Sequence, residues 1–172
     1  PQQPKQAYYP EDPFENFILK SKARLPDGEI VDFGFRDHFY GQCWTRHKAS
    51  DAMWRIYSPK SNGVRIRTTI TKLAHSLASG LAPWQNIQCF IGKVKYLDNK
   101  QMMNFANTVF KGKINPEAYE LAKTLLIKRP AFKHENEVRL LYFEKENGKY
   151  GSIYKYDIDP HAIIDQIMVD PR

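Results

Sequence analysis

The sequence predicts an α+β fold, a mixed and mostly antiparallel sheet with short helices. Three observations lead there. Period-two segments and short capped helical segments occur in irregular order, without the regular alternation of a parallel α/β fold. Turn dipeptides punctuate the chain at Asp27-Gly28, Asn62-Gly63 and Asn147-Gly148. No internal repeat appears along the 172 residues, a length that supports one domain, 1–172, with a real core.

The elements follow in order. Residues 1–16, rich in Pro and Gln, read as an extended arm or the remnant of a missing upstream element. Ile30–Phe35 alternates and predicts a strand, and Phe39–Trp44 predicts another. Ser50 is placed to cap a short helix, Asp51–Tyr57, with Met53, Trp54 and Tyr57 on one face. Val64–Thr69 reads as a strand with Val64 and Ile66 inward and Arg65 and Arg67 opposite. Thr71 can cap a helix Lys72–Ser79, with Gly80 as its C-terminal glycine. Gln88–Leu97 is a strand, and Asn99–Phe110 leans to helix. Asn115-Pro116 starts a helix that buries Leu121, Ala122, Leu125 and Leu126 and runs to about Lys128, before Pro130. Val138–Phe143 is a strand expected at or near the sheet centre. Tyr150–Ile158 forms the second arm of its hairpin. Asp159-Pro160 opens one helical turn, and Ile164–Val169 is the last strand.

Composition narrows the function. Hydrophobic residues make up 42% of the chain, and 26 Lys and Arg against 19 Asp and Glu give a formal net charge of +7. A basic surface favours polyanionic partners, nucleic acid above all. No apolar run is long enough to span a bilayer and no signal peptide is visible, so the expectation is a cytoplasmic protein without a membrane partner. Cys43 and Cys89 lack metal-ligand spacing, as do the five histidines, and no metal site is expected. The absence of G-x-G-x-x-G, G-x-S-x-G and Walker-type loops argues against Rossmann dehydrogenases, common serine hydrolases and P-loop motors.

The stretch Lys128–Phe143, KRPAFKHENEVRLLYF, is the first candidate for chemistry. With a period of two, Glu135, Glu137 and Arg139 share one face, and Val138, Leu140 and Tyr142 the other. Two acids and an arginine on one face need mutual pairing or solvent. Arg65 and Arg67 read either as a grip for a pyrophosphate or as a solvated strand face. Trp54 and Tyr57 read either as core residues or as a stacking platform for a flat ring.

Three segments, Gln42–Ile66, Lys128–Arg139 and Ile158–Pro171, together resemble a bacterial domain-of-unknown-function family. Its marks here are Cys43-Trp44-Thr45, Met53-Trp54…Tyr57, Gly63-Val64 and Glu135…Glu137…Arg139. Asp12-Pro13-Phe14-Glu15 resembles an Asn-Asp-Pro-Phe element of that family, with Glu11 where Asn is usual. A weaker resemblance is to the ADP-ribosyltransferase fold, in which a glutamate, often within E-x-E, opens a late strand. That resemblance implies NAD as a substrate, Glu137 as the catalytic carboxylate and Glu135 as the upstream acid. It also implies an NAD-gripping residue on an early strand, with Arg46, His47, Arg65 and Arg67 as candidates. Thr68-Thr69 or Tyr57 would support the cofactor, and Trp54, Tyr57 or Trp84 would stack on nicotinamide.

Two expectations follow. One is an NAD-dependent ADP-ribosyltransferase or NAD glycohydrolase, a toxin or defence protein acting on nucleic acid. The other is a non-catalytic basic module that binds nucleic acid or a protein, with Arg65, Arg67, Lys93, Lys95 and Arg139 on one phosphate-binding face.

Overall fold

The computed structural model describes residues 22–24, 27–32, 35–79, 88–110, 117–146 and 149–172. The expected arm 1–16 with its Asp12–Glu15 element, Gly80, Trp84, Asn115-Pro116 and Asn147-Gly148 lie outside these residues.

The fold is α+β. Its centre is a three-stranded antiparallel sheet in which β8 (Glu137–Phe143) lies between β3 (Phe39–Thr45) and β5 (Gln88–Lys93). The expected central position of the Val138–Phe143 strand is therefore observed. In register, Thr45 faces Glu137, Cys43 faces Arg139 and Tyr40 faces Tyr142. Gly92 also lies opposite Arg139. A Cβ at Gly92 would run into the Leu126 side chain, which packs over this position and would have to shift.

Both faces of β8 are covered. One face packs Leu141 against Leu121, Ala122 and Leu125, contributed by α4 (Ala118–Thr124) and the residue that caps its end. The other packs Leu140 against Leu73 and Leu77 of α2 (Ile70–Ser79) and Ile163 of α5 (Pro160–Ile163). Three smaller pairings complete the described strands. They are β1 (Lys22–Arg24) with β2 (Ile30–Asp32), β4 (Val64–Arg67) with β9 (Gln166–Val169), and β6 (Lys95–Tyr96) with β7 (Ile127–Lys128). Only the β6–β7 pair is parallel.

Local chemistry accounts for the helices. Ser50 caps α1 (Asp51–Tyr57) by accepting from the Met53 amide at 3.3 Å. Asp98 and Gln101 exchange side-chain and backbone bonds at the start of α3 (Asn99–Phe110). Asp159 accepts from the His161 amide ahead of Pro160, so the expected helical turn is there. Trp54 is buried, as its place on the inner face of α1 predicts.

Several local expectations are corrected. Glu135 is not part of the strand. It closes a 3-10 segment, Pro130–Glu135, and Asn136 then turns with φ 44°. Asn tolerates this left-handed conformation, and it resets the alternation at Glu137. The helix over residue 118 onward stops at Thr124 because Ile127 and Lys128 are drawn into the parallel pair with β6. Gln88–Leu97 splits at Val94, whose amide donates to Glu137 O while Lys95 turns to Leu126 O. Thr69, not Thr71, caps α2. β2 spans Ile30–Asp32, and Phe35 opens a 3-10 segment, Phe35–His38, rather than ending that strand; Tyr150–Ile158 is irregular rather than a hairpin arm. Val64 and Ile66 point outward, because the β4–β9 ribbon turns its Arg65 face toward the body of the protein.

Candidate functional site

Two different charged regions meet where β3 ends and β8 begins. The first is buried. Arg139 Nε donates to Glu137 Oε1 at 2.7 Å and Nη2 to Oε2 at 3.2 Å, while Nη1 reaches Leu125 O at 2.8 Å. Glu137 and Arg139 are each 4% exposed. The β6–β7 pairing carries Lys128 to the same spot. Its ammonium lies 2.7 Å from Glu135 Oε2 and 3.5 Å from Glu137 Oε2, so it bridges the two carboxylates. Tyr96 Oη accepts from the Glu137 amide at 2.9 Å. Tyr57 Oη donates to Glu135 Oε1 at 2.9 Å, tying α1 to the 3-10 segment. Thr45 Oγ1 donates to Glu135 O at 2.6 Å.

The electrostatics follow from these contacts. Burial opposes the charge on Glu137, but hydrogen bonds from Arg139 and Cys43 and the nearby charges of Arg139 and Lys128 outweigh it, holding its carboxyl below the usual range. Burial, reinforced by the bond to Glu135, pushes the Tyr57 hydroxyl well above an ordinary phenol. Two carboxylates thus face two cations within one closed set.

The second region is open. A cleft of about 700 Å³ runs beside the end of β3 and the inner side of β4. Arg46, His47, Lys48, Arg65 and Arg67 line it, with Thr68 and Thr69 and with Trp44 and Val138 as apolar wall, and no acidic residue contributes. Among the described residues, no carboxylate lies within ion-pairing distance of the side chains of Arg46, Lys48, Arg65 or Arg67. A second, mostly apolar pocket of about 200 Å³ adjoins it and is lined by Met53, Trp54 and Tyr57 of α1. The two share Thr45, His47, Lys48, Ala49 and Arg65, so they form one continuous depression. The C-terminal segment holds its wall. Arg172 Nη2 donates to Trp54 O and Ser58 O at the end of α1, and Asp170 grips the same guanidinium at 2.7 Å.

The structure brings the residues singled out in the sequence into two groups. Arg65, Arg67, Trp54 and Tyr57 line the open depression. Glu135 touches that group through Tyr57, and Glu137 lies behind it, paired with Arg139. Arg139 is therefore not part of a surface phosphate face, as the binding-module expectation had it. Sequence reasoning missed Lys128 as the bridge between the acids and Tyr96 as the acceptor for Glu137. It also left Lys48 out of the cleft. Only the basic run Arg46-His47-Lys48 at a strand end signalled that residue. Among the described residues no cluster of His, Cys, Asp and Glu could hold a metal ion, and no helix is long and apolar enough to cross a membrane.

Comparison with known proteins gives one finding. The family model described as a protein of unknown function, DUF2971, matches residues 53–140, from α1 through the Glu137–Arg139 pair. No curated protein and no solved structure matches.

Proposed function

The chain belongs to the DUF2971 family, and for this member we propose a nucleotide receptor that takes NAD as a substrate, as an ADP-ribosyltransferase or NAD glycohydrolase. One observation carries the reading. A basic cleft without acids runs directly into a pocket walled by Trp54 and Tyr57. A dinucleotide has the matching parts, a pyrophosphate and flat rings. Arg65 and Arg67 would hold the pyrophosphate through charge-assisted bonds, with Arg46 and Lys48 adding positive potential. The nicotinamide ring would enter between Trp54 and Tyr57.

Glu135 meets that pocket through the hydroxyl of Tyr57, which donates to its carboxylate at 2.9 Å. As the glycosidic bond breaks, its electrons leave with nicotinamide and positive charge builds on the ribose. A fixed carboxylate stabilises that charge, and the ribosyl carbon then bonds the oxygen of an acceptor hydroxyl or water, whose proton passes to solvent. Glu137 and Lys128 would hold Glu135 in place rather than meet the substrate. A second reading, a non-catalytic module for nucleic acid, is favoured by the closure of Glu137 onto Arg139.

Calorimetry with NAD and an assay of nicotinamide release test both. The enzyme reading expects NAD binding that Arg65→Ala/Arg67→Ala weakens at least tenfold, a loss of about 1.4 kcal/mol or more. It also expects Glu135→Gln to lower nicotinamide release by about 10²–10³. NAD binding without release, with acceptors supplied, would move the assignment to the binding module. No NAD binding at all would sink the proposal.

A further inference from the structure

A separate pocket of about 180 Å³ lies at the other end of β3, lined chiefly by Tyr40, Gln42, Tyr142, Tyr154 and Tyr156. Among the described residues, no charged side chain lines it. Its rings form one connected cluster. Tyr142 and Tyr154 centroids are 4.5 Å apart, Tyr40 and Tyr154 5.8 Å, and Tyr154 and Tyr156 lie nearly parallel at 6.2 Å. Tyr154 and Tyr156 are half-buried and sit on the irregular segment before α5, so ring surface remains open to a ligand.

Tyr40, Gln42 and Trp44 share one face of β3, in register with Tyr142, Leu140 and Val138. Trp44 and Val138 wall the basic cleft, and Trp44 Nε1 donates to Gln42 Oε1 at 3.0 Å. Cleft and tyrosine pocket are therefore joined by a strip along an edge strand. Four residues of strand separate Tyr40 from Trp44, about 14 Å. That distance matches roughly four nucleotides at the 3.4 Å stacked rise of one strand.

We propose that this strip binds single-stranded nucleic acid, with phosphates in the basic cleft and a base stacked in the tyrosine pocket. Uncharged rings at one end and unpaired cations at the other fit a chain of flat bases on an anionic backbone. A quaternary ammonium ligand fits less well. Tyr142 and Tyr154 already face each other, and the nearby Glu144 is engaged by the Tyr142 hydroxyl at 2.7 Å. The phosphate end rests on the same reading of the basic cleft as the nucleotide proposal. The tyrosine end is independent of it.

The test is fluorescence anisotropy of the full chain with labelled oligothymidylates of two, four and eight nucleotides, across a salt series. Affinity should rise at least tenfold from the dinucleotide to the octanucleotide. Tyr154→Leu/Tyr156→Leu should weaken the octanucleotide about five- to hundredfold, the range for one lost stacking contact. The same variant should leave the dinucleotide and NAD unchanged, which separates a failure here from a failure of the NAD reading. Tyr154→Phe/Tyr156→Phe keeps the rings and should retain binding within a few-fold, which guards against a folding artefact. Arg65→Ala/Arg67→Ala should flatten the salt dependence by about 1.4 in slope, about 0.7 for each cation removed from a single strand. Octanucleotide binding unchanged by the Leu pair would overturn the proposal. So would equal affinity for a duplex, equal competition by an octaglutamate peptide, or loss of binding in the Phe pair.

Discussion

The two charged regions at the junction of β3 and β8 are built from the same residue types and behave oppositely. Behind the sheet, Glu135, Glu137, Lys128 and Arg139 satisfy one another. In front, Arg46, Lys48, Arg65 and Arg67 line a cleft with no acid. The closed set is expensive to open, and within it Glu135 reaches toward the open region through the Tyr57 hydroxyl. The open set leaves positive charge facing solvent, stabilised only by water and counterions. Charge content alone does not mark a site. What marks it is whether counter-charges come from the chain or must come from outside.

The sharpest way to break this contrast is to open the closed set. Arg139→Ala should leave the Glu137 carboxylate buried without its bidentate partner and destabilise the fold by about 3–5 kcal/mol in urea unfolding. Removing both partners, as Glu137→Leu/Arg139→Met, should cost far less than Arg139→Ala alone, because no uncompensated charge remains. Equal losses would mean that packing rather than pairing is at stake. Acid should open the same set. Glu137 and Glu144 are both held below the usual carboxylate range, Glu144 because bonds from Tyr142 and the Glu146 amide outweigh its burial. A depressed folded-state value contributes stability that is fully present above the unfolded carboxylate range. That stability is lost as pH falls through the folded-state values. The melting temperature should therefore decline on acidification below the ordinary carboxylate range, and Glu137→Gln should flatten the decline.

Trp54→Ala tests the wall between the regions and should cost about 3 kcal/mol through the cavity it leaves. A melting temperature within a degree or two of the parent, with ligand binding lost, would make Trp54 a platform rather than a core residue. Tyr57→Phe removes one hydrogen bond to Glu135 and should cost about 1 kcal/mol. Arg65→Ala/Arg67→Ala should be smallest in stability, within about 0.5 kcal/mol, while removing anion affinity. A large loss of stability there would show that the cleft arginines are structural, and the comparison would fail.

Much of this was legible in the sequence, and the gaps have physical causes. The α1 helix could be read because Ser50 and the spacing of Met53, Trp54 and Tyr57 are local signals. The central strand could be read because Val138 and Leu140 alternate with residues that pair among themselves. The sequence singled out Arg65, Arg67, Trp54 and Tyr57 together, and these four line one depression. The role of Lys128 was hidden, since it depends on a two-residue parallel pairing between β6 and β7 that leaves no periodic trace. The outward turn of Val64 and Ile66 was hidden too. Alternation fixes which residues share a face but not which face meets the core. The tyrosine pocket draws its rings from residues 40, 142, 154 and 156; the register of β3 against β8 brings the first two together and the irregular segment before α5 adds the other two, so no local pattern shows the set.

That register has a consequence in time. Phe39 pairs with Phe143, about a hundred residues later, and β5 also waits for the same strand. At roughly 5–20 residues per second of synthesis, β3 leaves the ribosome about 5–20 s before its partner exists. During that interval β3 and β5 present unpaired edges, and closing so long a loop slows the search once β8 arrives. Newborn chains of this protein should therefore depend on holdase protection, and their yield should respond to translation speed more than their final stability suggests.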